Sequence, residues 1–254
     1  RALATTLQAL AHVAERMGDY DVATELKREC IERMRRTDDP RGLLRAINGL
    51  GLRALFRGAY DEAVELLEEA LAISRRIEDL PNVGVILHNL GEAELRRGRL
   101  ERAESRLAES IELARTMDAR RIVAYSSNLL GALATLRGDV AAARRHFHAA
   151  LVFVRDEGDK DGLAYAFEGL AGVEILAGDP ASAMRLAGAA VGLRTAIRST
   201  LSPPEQQAFD GVLDGLREAL GADVAARCFD EGRGLSLADA IGHALDASTH
   251  DASA

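Results

Sequence analysis

The chain has no tryptophan, and aromatic residues make up only 4% of it. Its 254 residues include two cysteines, five prolines and two lysines, Lys27 and Lys160. Each scarcity excludes something. With so few rings, the core must be built from Leu, Ala, Ile and Val, which suits closely packed helices. With so few prolines, long helices can run unbroken. Cys30 and Cys228 lie far apart and make neither a metal nor a redox spacing, which fits a reducing cytoplasm. Neither lysine follows a glycine-rich loop, so no phosphate-binding loop is present. A nucleophile elbow, an HExxH pair and a CxxC pair are all missing, so no catalytic residue, metal or cofactor is expected. His146 and His148, two apart on a helix, point to different faces and cannot chelate together. No apolar run approaches the roughly 20 residues of a membrane span, and no signal segment opens the chain. The net charge of −8 argues against nucleic acid, which needs clustered Lys and Arg. The chain opens on Arg1 and runs straight into a helical pattern, as expected of a piece cut from a larger protein.

What the chain has in abundance is register. Glycine returns every 40 residues, at Gly18, Gly58, Gly98, Gly138 and Gly178. Leucine keeps the same period at Leu10, Leu50, Leu90, Leu130 and Leu170, each followed by a small residue. Five residues past each glycine stands an alanine: Ala23, Ala63, Ala103, Ala143 and Ala183. Apolar residues on both sides of each glycine recur at spacings of three and four, so each unit is a pair of helices. The glycine ends the first helix and allows a tight turn. The small columns let the two helices approach closely. Residues 157–168 loosely copy a calcium loop, but the repeat makes them helical from Asp161 onward, which would destroy such a loop.

These marks resemble the tetratricopeptide repeat. LGLRALFRGAYDEAVELLEEAL (50–71) carries its Leu-Gly, Gly-x-Tyr and Ala signature, and 90–111 and 130–151 keep most of it. The resemblance covers 1–200, with a period of 40 rather than about 34. The expected fold is all-α: a right-handed α-α superhelix, a solenoid of five helix pairs over 1–200. From 201 the period breaks. LSPPEQQAF opens a helix capped by Ser202 and Glu205 and closed at Gly221, and two short helices follow, the second capped by Ser236. Residues 201–247 are expected to form a helical C-terminal cap, and 248–254 a disordered tail. This closing segment resembles that of bacterial ATP-binding transcriptional regulators of the LuxR, SARP and cyclase-linked types. The matching residues are Gly188, Ala189, Ala190, Leu193 and Arg194, then Glu231, Gly232, Arg233, Leu235, Ser236 and Ala238. The resemblance implies an ATPase module and a DNA-binding domain outside these residues.

In such a fold the first helix of each unit lines the concave side. Gln8, Asn48, His88, Asn128 and Glu168 then form one polar ladder. Arg45, Tyr125 and Tyr165 lie beside it, with His12 and Glu92 on the other side and Phe56 and Arg96 toward the helix ends. Asn offers donor and acceptor together, suited to an extended peptide backbone, and Tyr offers flat contact area with a hydroxyl. The expected function is a non-catalytic interaction or sensor domain of a bacterial transcriptional regulator. It would hold a protein, a peptide or a small effector, with no nucleic-acid or membrane contact. The competing reading is a free-standing scaffold that binds extended peptides.

Overall fold

A computed structural model describes residues 2–17 and 19–246. Gly18, the tail 248–254 and the side chains of Gln8, His12 and Tyr20 lie outside the described residues. Among the described residues the fold is all-helical, in antiparallel pairs with no strand. The first pairs are α1 (Ala2–Met17) with α2 (Tyr20–Met34), α3 (Pro40–Phe56) with α4 (Tyr60–Arg76), and α5 (Leu80–Arg96) with α6 (Leu100–Thr116). Then come α7 (Arg120–Leu136) with α8 (Val140–Asp156), and α9 (Lys160–Ala177) with α10 (Pro180–Ile197). The chain closes with α11 (Pro203–Leu220), α12 (Ala222–Gly234) and α13 (Leu237–Asp246). It divides into two compact units, 1–106 and 107–254, with the cut inside α6.

From the end of α3 to the end of α10 the same turn recurs every 20 residues, not every 40. Gly58, Gly98, Gly138 and Gly178 take left-handed backbone, φ 79°, 72°, 75° and 82°, as the register requires. So do the residues between units: Glu78, Asp118, Gly158 and Arg198. The next amide then donates back five residues, as from Ala59 to the Ala54 carbonyl at 2.8 Å and from Asp79 to that of Ser74 at 2.9 Å. This closes otherwise unpaired helix-end carbonyls. The junction acids cap the helices that follow. Asp39 accepts from the Gly42 amide at 2.8 Å, Asp139 from Ala142 at 2.8 Å and Asp179 from Ser182 at 2.8 Å. The Glu205 carboxylate accepts from the Ser202 amide at 3.1 Å and its hydroxyl at 2.6 Å, and the Ser236 hydroxyl accepts from the Asp239 amide at 3.2 Å.

In the first unit, Ala11, Ala23, Ala63 and Ala103 are fully buried. A Cβ on Gly51 would meet the Leu67 side chain at 3.0 Å. Exposed ion pairs tie successive second helices together, Arg28 to Glu62 and Arg35 to Glu69. At such exposure each contributes little. Buried Glu94 is different: its carboxylate meets Arg97 at 3.2 Å and Arg102 at 3.6 Å.

In the second unit one continuous apolar core runs from Ala134 to Ala244 and draws in all three closing helices. Phe147 and Phe167 are its largest fully buried side chains. The Phe147 ring lies where a Cβ on Gly131 would come to 2.8 Å, and a Cβ on Gly169 would overlap it. The GAA segment of α10 has a similar role: Gly188 faces the Phe229 carbonyl of α12, and Gly232 faces that of Arg185. Backbone meets backbone there, and Arg185 joins Glu231 at 2.9 Å beside the crossing. Arg144 and Glu174 form a buried pair at 3.1 Å. Burial pushes the Glu174 carboxyl up, with Arg144 opposing it.

Gly169→Ala should cost about 1–3 kcal/mol by overpacking, and Phe147→Leu in the same chain should recover most of it. Gly232→Ala should cost at least as much and should not be recovered by shortening Arg185, because the obstacle is a carbonyl. Urea denaturation midpoints of the four variants check both outcomes.

Candidate functional site

The candidate site is the ladder of first-helix positions read from the register, some exposed and some buried, and each compact unit has its own share. In unit one, Leu44, Ile47 and Leu50 turn α3 into the core, so Arg45 and Phe56 stay exposed and Asn48 is half-buried. On α5 the buried residues Ile86, Leu87 and Leu90 leave His88, Glu92 and Arg96 half-buried. Arg96 and Glu92 pair at 3.8 Å along that helix. The Asn48 side-chain oxygen is buried without a hydrogen-bond partner, and so is the amide nitrogen of Asn89. Asn89, 6% exposed, had no signal in the ladder, because its column holds Gly49 and Leu129 elsewhere.

His88 is not sealed from solvent, yet the protein packed around it pushes its imidazole from 6.5 down to about 4. The folded state therefore refuses a proton that the unfolded chain accepts. The stability that neutral His88 allows is complete above pH 6.5 and is lost as pH falls toward 4.

In unit two, Tyr125 of α7 donates its hydroxyl to Asp159 at 2.6 Å. Burial first, then that carboxylate, raises its phenol. Asp159 also accepts from the Gly162 amide at 3.1 Å, so one carboxylate caps α9 and positions the ring. Asn128 is 1% exposed, and neither its side-chain oxygen nor its nitrogen has a partner. Tyr165 is half-buried on α9. Glu168 is held by Arg194 of α10 through two bonds, 2.5 and 2.9 Å. Burial pushes its carboxyl up and Arg194 opposes it. Asn48, His88, Asn128 and Glu168 thus share a register but not a state: orphaned, desolvated, orphaned and paired. Arg194 and Asp159, which complete the surroundings of Glu168 and Tyr125, stand outside the first-helix ladder and could be traced only through the closing motif and the junction acids. No group of three or more metal-ligating side chains occurs among the described residues. No helix among them is long and apolar enough to cross a membrane.

Paired antiparallel helices joined by recurring tight turns define a helical-repeat protein. Residues 2–76 and 44–116 match the family model of the tetratricopeptide repeat, and helix pairs of the same length continue to Ile197. Among solved structures it is similar to BtubC (BKLC) from P. vanneervenii, at 29% identity and TM-score 0.62, covering 78% of this chain and 82% of that one. It shares its fold with a Rap protein complexed with competence and sporulation factor, at 16% identity and TM-score 0.65, covering 92% of this chain and 65% of that one. It shares it also with aspartyl phosphate phosphatase F from Bacillus subtilis, at 15% identity and TM-score 0.59, covering 96% and 59%. These likenesses do not single out a LuxR- or SARP-type regulator. No curated protein sequence matches the chain.

His88→Asn, which places in α5 the residue that stands at 48 and 128, should flatten the acid limb of stability. Thermal melts at pH 7 and pH 5 should show wild type losing up to about 2 kcal/mol more than the variant over that interval.

Proposed function

We propose that the chain is a non-catalytic protein-interaction domain that binds a protein or peptide on its first-helix faces. The residues are Arg45, Asn48, Phe56, His88, Glu92 and Arg96 in unit one, and Tyr125, Asn128, Tyr165 and Glu168 in unit two. The observation that carries this reading is Asn128. A side-chain amide that is 1% exposed with both polar atoms unpartnered costs free energy in the absence of a ligand. The free Asn48 oxygen adds a second such group. Once the side chain turns outward toward a ligand, one amide can accept from a peptide N–H and donate to a peptide carbonyl, which supports an extended backbone as the occupant. Tyr125, fixed by Asp159, offers a rigid flat neighbour.

The setting we propose is a bacterial ATP-binding transcriptional regulator of the LuxR or SARP type, cytoplasmic, with residues 1–200 as the sensing repeats and 201–247 as their cap. The closing motif supports this reading, since its glycines Gly188 and Gly232 are among those that let α10 and α12 touch. A free-standing peptide-binding scaffold is the second reading. It draws support from the shared fold with the Rap protein complexed with competence and sporulation factor.

Asn128→Leu should separate binding from stability. Removing a buried orphan amide should stabilise the free protein by about 1 kcal/mol, read as a raised urea midpoint. Asn48→Ala combined with Asn128→Ala should leave the circular dichroism helical and deplete specific partners captured from the source cell, as measured by mass spectrometry. Identical captured sets for wild type and the folded double variant would overturn the proposal.

A further inference from the structure

The second unit contains a cavity at a place where the repeat register is broken. The column that runs Leu7, Ile47, Leu87 and Phe167 is filled by large buried apolar side chains. At its fourth position stands Ser127, 8% exposed, with no hydrogen-bond partner among the described residues. Ser127 is among the residues lining a cavity of about 310 Å³ between the end of α6, the start of α7 and the end of α8. Two further columns depart from pattern at the same place. Asp39, Asp79 and Asp159 cap their helices, but the equivalent residue before α7 is Ala119, which has no side chain to accept a bond. Phe153 stands where α4 has Ile73, and its ring forms one wall of the cavity.

The charges around this opening are unbalanced. Arg115 and Arg120 line it, and neither makes an ion pair among the described residues. Arg120 lies over the Phe153 ring, 5.4 Å from its centroid. Asp118 is exposed on the rim. Two guanidiniums against one carboxylate leave one positive charge in excess. The walls below are Val123, Ala124, Ala149 and Phe153, with the Ser127 hydroxyl among them. The volume is at the small end of ligand pockets and matches a single ring with its substituent.

We infer that this cavity is a binding site for a small anion, a carboxylate or a phosphate, carried on an apolar ring. The ring fills the space that Ser127 leaves, against Phe153 and Val123. The anion lies between Arg115 and Arg120, at a helix start where Ala119 supplies no capping side chain. This site is separate from the first-helix face proposed above, because it is built from the edge where one repeat hands over to the next.

The probes are benzoate, its uncharged counterpart benzyl alcohol, and phenyl phosphate, titrated into the full chain and followed by amide chemical shifts. Benzoate should bind with a Kd of about 1 mM or tighter and move amides of 114–127 and 149–153, while benzyl alcohol binds at least about tenfold more weakly. Arg115→Ala with Arg120→Ala should weaken benzoate about tenfold or more. Ser127→Leu, which restores the residue of position 87, should raise the melting midpoint and abolish binding, so a folded variant reports on the site. If phenyl phosphate binds more tightly than benzoate, the anion is a phosphate group; the reverse order makes it a carboxylate, and either supports the site. Benzoate and benzyl alcohol binding equally, benzoate affinity unchanged in both variants, or no benzoate binding at about 10 mM would overturn the inference.

Discussion

Helices of 15–18 residues with Leu and Ala as their main apolar residues cannot bury enough surface unless their axes come close. Close approach is the constraint on which the rest of this structure depends. It is met by leaving out side chains where helices cross: fully buried alanines at 23, 63, 103, 143 and 183, and glycines at 51, 131, 169, 188 and 232. Where glycine leaves space, a neighbour occupies it: Leu67 beside Gly51, and the Phe147 ring beside Gly131 and Gly169. Volume is conserved across the crossing even though each residue departs from the average.

The turns impose a second condition, because a helix that must reverse within two or three residues leaves carbonyls bare. The left-handed residue and the five-back amide bond satisfy them at the reversals from α3 to the end of α10. Glycine takes that role within units. Between units Glu78, Asp118 and Arg198 take it with a side chain attached, and the cost is carried by the packing of the helices on either side.

Given such economy, the polar groups that interrupt the interior stand out. Arg144 with Glu174, and Glu94 with Arg97 and Arg102, are neutralised in place. Asn128 and the Asn48 oxygen are not, and Ser127 replaces bulk with a hydroxyl. A fold that tolerates unsatisfied amides beside well-paired charges points to groups kept for something that is not part of the fold. That contrast separates the ladder residues from one another. Glu168 already has its partner in Arg194, and Asn128 has none.

From the sequence alone the repeat, its helix pairs, the turns at Gly58, Gly98, Gly138 and Gly178 and the closing helices after Gly221 were legible. Each follows from local chemistry: a period, a cap, a residue free to take positive φ. The left-handed turns at Glu78, Asp118 and Arg198 were not, since nothing in an acid or an arginine announces that conformation. The columns placed Asn48, His88, Asn128 and Glu168 on one face but could not say which of them would find a partner. That was decided by residues far off in sequence: Arg194 reaching Glu168, Asp159 reaching Tyr125, and the packing around His88 that keeps it neutral. Periodicity reports where a side chain starts, and only the packed neighbours determine what it meets.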